Sequence, residues 1–319
     1  MKIRAAGVVA MLMAWMVVSC AAAGGDPVAA PVTTAAPSPA ELTAERRAFW
    51  QDVRARGDAP PKGADVAALS LELVGYLGSI DPDVRDRMAY EVLASWIQRD
   101  GLMPRSAQRR IAEVLMERLG DRIGAASGDS VYGRSFSALV LAAIAAHEIA
   151  TPAMSDAELT AMVQAARAYA SKERDLRGHV EGRGWAHAAA HTADWLKFLS
   201  RNPRLGRERG QLVLEAVLDL TVRRHGHILS HGEDGRLAQP VMDLLRRDHI
   251  DAAAFSTWLE RLLAPLHEKG DGSFDAGQYA AQRNARNLAF TLFVALSLED
   301  ARNPAQTASL AALTSALRQ

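Results

Sequence analysis

The sequence has one cysteine, Cys20, in 319 residues. With no second thiol there is no intramolecular disulfide, so even in an oxidising compartment the core must hold by packing alone. It has no charge excess either: 37 Lys and Arg stand against 37 Asp and Glu. The dominant basic field that a nucleic-acid or polybasic lipid-surface partner needs is missing. No turn signal such as Asn-Gly separates paired alternating segments, which removes the usual mark of β-hairpins. Several catalytic signatures are also absent. There is no Gly-x-Ser-x-Gly elbow, no His-Glu-x-x-His and no glycine pattern of a P-loop or dinucleotide fingerprint, so serine-elbow, zincin and nucleotide chemistry lack support.

An export pattern is present at the amino terminus. Lys2 and Arg4 precede an apolar run from Ala5 to Val18, which is too short for a comfortable membrane span. Val17-Val18-Ser19-Cys20 then resembles the lipobox of bacterial lipoproteins, whose cysteine is acylated and becomes the first mature residue. Residues 1–19 therefore read as a lipoprotein-type signal peptide and residues 20–40 as the Cys20 anchor with an Ala/Pro-rich tether. Cleavage within Ala21 to Ala23 is the alternative and would give a soluble periplasmic protein. Ala21, where an aspartate would otherwise retain a lipoprotein, fits the periplasmic face of an outer membrane. Losing Lys2 and Arg4 leaves 35 basic against 37 acidic residues, a formal charge of −2.

Residues 41–319 read as a single helical domain. Asp81-Pro82, Ser155 with Glu158, and Asp251 are helix-start signals, each followed by apolar residues at helical spacing. Phe136 to Ala146, Leu212 to Val222 and Leu288 to Leu298 are apolar nearly all round, too long for typical strands, and read as buried helices. Breaks at glycine- and proline-rich points divide the chain into roughly ten to twelve helices with short connections. The expected fold is all-α: an irregular α-solenoid of HEAT-like, stacked helical hairpins.

Candidate chemistry concentrates between Glu173 and Asn202, which holds three of the nine histidines. If a helix starts after Gly184, His187, His191 and Asp194 fall at about 0°, 40° and −20° on its wheel and share one outward stripe, while Trp185, Trp195, Leu196 and Leu199 face the core. His-x-x-x-His with a following carboxylate can hold a divalent metal such as Zn²⁺. Imidazoles hydrogen-bonded within the fold and binding nothing are the alternative. Glu181 and Glu233 are candidate general bases, and His179, His227 and His231 could complete a ligand set. The loop from His225 to Asp234 is the second cluster. Arg177, Gly178, Gly182, Arg183 and Gly184 could present an anion site, or form a loop pinned by its own ion pairs with Asp175 and Glu181. Arg134 could stand at the lip of a groove or cap a neighbouring helix. Asn284, like other amides at buried edges, would satisfy backbone carbonyls.

The run from Arg177 to His187, followed by Ala190-His191-Thr192-Ala193-Asp194, resembles the signature of a bacterial domain-of-unknown-function family, number 2785. Arg134-Ser-Phe-Ser137, Gly232 to Leu237 and Arg283-Asn284 are similar to its other pieces, and the resemblance spans roughly Asp65 to Leu298. It implies a helical domain with no assigned activity. Two functional classes follow. One is a lipid-anchored binding or scaffold protein taking a protein, peptide or glycan, with Arg134, Asp175, Arg177, His179, Trp185, His231 and Glu233 as candidate ligand contacts. The other is a metal-dependent hydrolase or lyase using His187, His191 and Asp194.

Overall fold

The computed structural model describes residues 42–99, 101–268 and 272–318. The signal peptide, Cys20 and the tether expected over residues 1–40 lie outside the described residues. Twelve α-helices occur among those described. Thr43 caps α1 (Ala44–Ala55) and Asp65 caps α2 (Val66–Tyr76), each accepting a backbone N–H that the first turn leaves unpaired. A π-helical segment, Asp83–Tyr90, runs directly into α3 (Glu91–Gln98). Asp81 does cap this start, since its Oδ1 accepts the Asp83 amide at 2.9 Å, but the turns that follow are wider than α.

The chain continues through α4 (Arg105–Arg118) and α5 (Ser130–Ala150) to α6 (Asp156–Lys172), where Ser155 and Glu158 form the expected capping box. Beyond a short hairpin lie α7 (Ala188–Arg201), α8 (Gly206–Val222) and α9 (Glu233–Arg246). The last three are α10 (Ala252–His267), capped by Asp251, α11 (Ala276–Ser297) and α12 (Pro304–Ala316).

Helices two apart in sequence pack side by side. One row runs α3, α5, α7, α9, α11 and the other α6, α8, α10, α12, and the rows touch through pairs such as α6 and α7, α8 and α11, and α10 and α11. The buried apolar side chains form one contiguous cluster from Trp50 to Leu313 between these layers. The fold is all-α, and no helix of the described residues is long and apolar enough to cross a membrane.

The three apolar runs lie within α5, in α8, and across α11 and its C-cap Leu298. For α11 the expectation of burial all round fails: Phe290, Val294 and Leu298 are exposed. It is the last helix of its row, so no further helix among the described residues packs on its outer side. The one pair of strands among the described residues is a hairpin, β1 (His179–Val180) and β2 (Gly184–Trp185), paired antiparallel with His179 opposite Trp185. The absence of Asn-Gly hid it. Its turn is built instead on Gly182 and Gly184, both at φ 71°, a region side-chain-bearing residues rarely enter.

Candidate functional site

The hairpin is seated by a buried arginine from the π-helical segment. Arg85 donates from Nη2 to the Arg183 carbonyl at 2.9 Å, from Nη1 to the Ser79 carbonyl at 3.0 Å and from Nε to Asp86 at 2.7 Å. Its guanidinium also lies 4.4 Å from the Tyr132 ring centroid and 4.9 Å from that of Phe136. A Cβ at Gly184 would stand 3.2 Å from both Arg85 Nη2 and Pro82, so the glycine permits this approach as well as the turn.

The strand geometry continues past Trp185. The amides of Ala186 and His187 donate to the carbonyls of Gly178 and Arg177 at 3.0 and 3.1 Å. This ladder delays the helix, so His187 is not on the wheel of α7 at all; it precedes it as N-cap, in the left-handed region at φ 53°. A non-glycine residue there stores strain that the surrounding contacts must hold. The expected outward stripe is therefore broken. His187 and His191 are 7% and 6% exposed, while Trp185, expected in the core, is 39% exposed because β2 turns it outward. Trp195, Leu196 and Leu199 are buried as expected.

The rings instead gather around Trp185. His187 stacks on it, with centroids 4.3 Å apart and planes 19° apart, and His179 and His231 approach edge-on at 5.0 and 5.4 Å. His191 lies beneath, 5.9 Å from His187 and edge-on to Phe136 at 4.9 Å. Its Nδ1 is 2.8 Å from the hydroxyl of Ser135, which itself donates to the Ala186 carbonyl at 2.5 Å. A serine hydroxyl has one proton, so His191 Nδ1 carries the hydrogen of their bond. Burial, then the neighbouring His187 and Arg236, keeps His191 well below the ordinary imidazole range and hence neutral.

Glu233 forms the floor. It follows Gly232 (φ 81°) as the first residue of α9 and is 1% exposed. Oε2 accepts the His231 amide at 2.6 Å, while Oε1 stands 3.5 Å from His187 Nε2 and 3.8 Å from His231 Nδ1. His187 Nε2 has no hydrogen-bond partner. Burial would raise the Glu233 carboxyl, but the His187 imidazole and the amides of His231 and Glu233 itself outweigh it and hold the group below its ordinary value. The His231 loop is fixed from α11, where Asn284 accepts the Leu229 amide at 2.9 Å and donates to the His227 carbonyl at 3.0 Å. Gly178 is needed for the same packing, because a Cβ there would collide with the His231 ring.

The remaining candidates divide. Arg134 is not at a groove lip: it is buried, donates to both oxygens of Glu173 at 2.6 and 2.9 Å, and holds the Asp121 carbonyl at 2.9 Å just beyond α4. Asp175 pairs with Arg177 at 3.0 Å and is raised by burial. Arg177 also bonds the Gly128 carbonyl, and Arg183 pairs with Asp129, so the arginine loop is pinned by its own pairs. Glu181 is exposed at the hairpin turn. Asp194 is held away from the imidazoles by Lys197 at 3.0 Å and Arg236 at 2.7 Å. Among the described residues, no group of three His, Cys, Asp or Glu is placed to hold a metal ion.

Arg85 and Ser135 were missed in the sequence. Arg85 acts on residue 183 and Ser135 on residues 186 and 191, and no local pattern marks such distant partners.

The fold is all-α, with a cluster of rings and a buried carboxylate where the hairpin, α7 and α9 meet. The chain belongs to the family described as "Protein of unknown function (DUF2785)", which matches residues 119–294, more than half of its length. That stretch carries Ser135, the hairpin, His187, His191 and Glu233; Arg85 precedes it. No curated protein and no solved structure matches.

Proposed function

We propose that this chain is an exported ligand-binding protein, lipid-anchored through Cys20 at the periplasmic face of the outer membrane, whose two rows of helices stack as an irregular α-solenoid. Its receptor site is the group Trp185, His179, His187, His231 and Glu233. One observation carries the reading: an indole exposed on a glycine-built, arginine-seated hairpin, stacked on His187 above the buried carboxylate of Glu233. Exposed aromatics beside a few fixed polar groups are what ligand sites offer. A carboxylate held below its ordinary range is a weak base, which favours binding over proton abstraction.

A metal-dependent hydrolase or lyase is the second reading, favoured only by the unpartnered His187 Nε2 near Glu233. The engagement of Asp194 with two cations weighs against its part in that site.

The test is native mass spectrometry of the full chain purified from its own cell envelope. A co-purifying solute lost in Trp185→Ala, at unchanged melting temperature, is the expected result. A solute retained equally by the variant overturns the reading. In the same cells, Cys20→Ser is expected to release the protein from membranes; persistent attachment would sink the anchor.

A further inference from the structure

Two helices end the stack, α11 in one row and α12 in the other. The exposed side of α12 carries small and polar residues, Thr307, Ala311, Ser315 and Arg318, as the last element of a helical stack needs in order to face water. The exposed side of α11 is different. At 100° per residue, with Tyr279 set at 0°, Arg286, Phe290, Arg283, Val294 and Leu298 fall between about −20° and 100°, one stripe along the helix. All six are exposed, and Phe290, Val294 and Leu298 are so at 50%, 52% and 77%. The opposite side is committed to the fold: Leu288 and Leu292 are buried, Asn284 holds the loop from His227 to Leu229, and Thr291 donates to Asp234 at 2.7 Å. Aromatic rings and arginine without lysine or glutamate are the composition of an interface centre.

Charge along the stripe is bipolar. Among the described residues Arg283 and Arg286 have neither an ion pair nor a side-chain hydrogen bond. At the far end Asp300, two residues beyond the C-cap Leu298, is exposed and equally unpaired. Its charged neighbours are engaged, Glu299 by Arg246 and Arg302 by the carbonyls of Leu296, Ser297 and Glu299. Asp275, at the near end, is held by Arg224.

We propose that α11 is the seat of a twofold dimer, in which a second copy of this chain lays its own α11 antiparallel across the stripe. A surface with cations at one end, an anion at the other and rings between is complementary to itself reversed, which is what a twofold interface requires. With the axis beside residues 291 and 292, Arg283 of each copy stands opposite Asp300 of the other. Arg286 then meets the last turn of the second α11, the end that carries partial negative charge. Phe290 falls opposite Phe293, with Val294 beside them at the centre. Each copy supplies the helix that the other's row lacks.

Other occupants match less well. An anionic lipid surface would be repelled by Asp300, and the chain has no basic excess to draw it there. Head-to-tail stacking needs an apolar face at the start of the stack, where Ile80 is the one large apolar side chain exposed among the described residues before α4. The proposal stands apart from the ligand-binding reading, whose residues lie on the hairpin and at α7 and α9.

The full chain, purified from its own cell envelope, is weighed by native mass spectrometry and by sedimentation equilibrium across the micromolar range. The expected species is a dimer. Phe290→Asp and Val294→Arg should each give a monomer with unchanged circular dichroism; both positions are exposed, so two independent variants guard against a folding artefact. Arg283→Asp and Asp300→Arg should each raise the dimer dissociation constant about tenfold, and the double exchange Arg283→Asp/Asp300→Arg, which restores the pairs with signs reversed, should recover the wild-type constant. A wild type that stays monomeric throughout overturns the proposal. So does a dimer indifferent to Phe290→Asp and Val294→Arg, or a double exchange as weak as the single ones. Binding of monomeric full-length Cys20→Ser protein to phosphatidylglycerol vesicles, lost on adding Phe290→Asp, would give the face to lipid instead.

Discussion

Glu173 and Glu233 are both withdrawn from water, at 0% and 1% exposure, and both sit at helix ends, yet their surroundings differ in kind. Glu173 receives the Arg134 guanidinium on both oxygens and the amides of Arg174 and Asp175 at 2.9 and 3.0 Å. Glu233 receives one close hydrogen bond from the His231 amide, with two imidazoles standing off at 3.5 and 3.8 Å. Burial alone does not show whether a carboxylate is fully hydrogen-bonded; the partners around each of its oxygens do. The first locks α5 to the end of α6, whereas the second keeps an oxygen and an imidazole nitrogen facing one another without closing.

The largest expected effect is at the complete pair. Arg134→Leu strips the buried Glu173 of its counter-charge and should cost about 3–5 kcal/mol in equilibrium urea unfolding. A loss under about 1 kcal/mol would mean that the pair is not structural and would dissolve the contrast.

Next comes His191, which ties α7 to Ser135 on α5. His191→Ala should destabilise by about 2 kcal/mol through the lost ring and hydrogen bond, again by urea unfolding. An unchanged midpoint would place this histidine outside the structural half of the comparison.

The same residue sets a pH dependence. His191, His225 and His249 are all lowered from an ordinary value of 6.5, chiefly by burial, with His225 at about 4. The unfolded chain then binds protons that the folded chain excludes, so their stabilisation is fully present above 6.5 and is lost as pH falls below it. Melting temperature should fall on acidification through this window, and His191→Gln should flatten part of the slope. A profile identical in the variant would contradict the assignment.

A smaller change in stability is expected at the open pair. Glu233→Gln keeps the volume and should shift stability by less than about 1 kcal/mol while weakening Trp185-dependent ligand retention. If it proves as costly as Arg134→Leu, Glu233 belongs with Glu173 as a structural group. The smallest effect concerns metal: full chain purified without chelator should contain no stoichiometric divalent ion, and His187→Ala/His191→Ala should leave the content unchanged. Stoichiometric metal lost in that variant would replace the ligand-binding reading with metal chemistry.

Much of the fold was legible because helix signals are local. The Ser155–Glu158 capping box, the Asp251 cap and the apolar spacing of α6 and α10 need only a few neighbouring residues to be read. The site was legible as a neighbourhood and misread in its geometry. His187, His191 and Asp194 would share a face only if the helix began before His187, and the amide bonds from Ala186 and His187 to Gly178 and Arg177 defer that start. Three residues in one pattern therefore took three fates: a strained ring facing Glu233, a buried tie to Ser135, and an ion pair with Lys197 and Arg236. Arg134 shows the same limit, since its buried partner is 39 residues away.

The sequence by itself determined that this is an all-α chain of roughly ten to twelve helices, and that its polar rings and glycines concentrate between Glu173 and Asn202. Periodicity and caps act within a turn or two, so they can be read without the fold. Only the tertiary structure decided which of those rings is exposed, which carboxylate lies beneath them and which arginine seats the hairpin. Those outcomes depend on contacts between residues about 50 to 100 positions apart, as between Arg85 and Arg183 or Ser135 and His191, and no local signal encodes such partners.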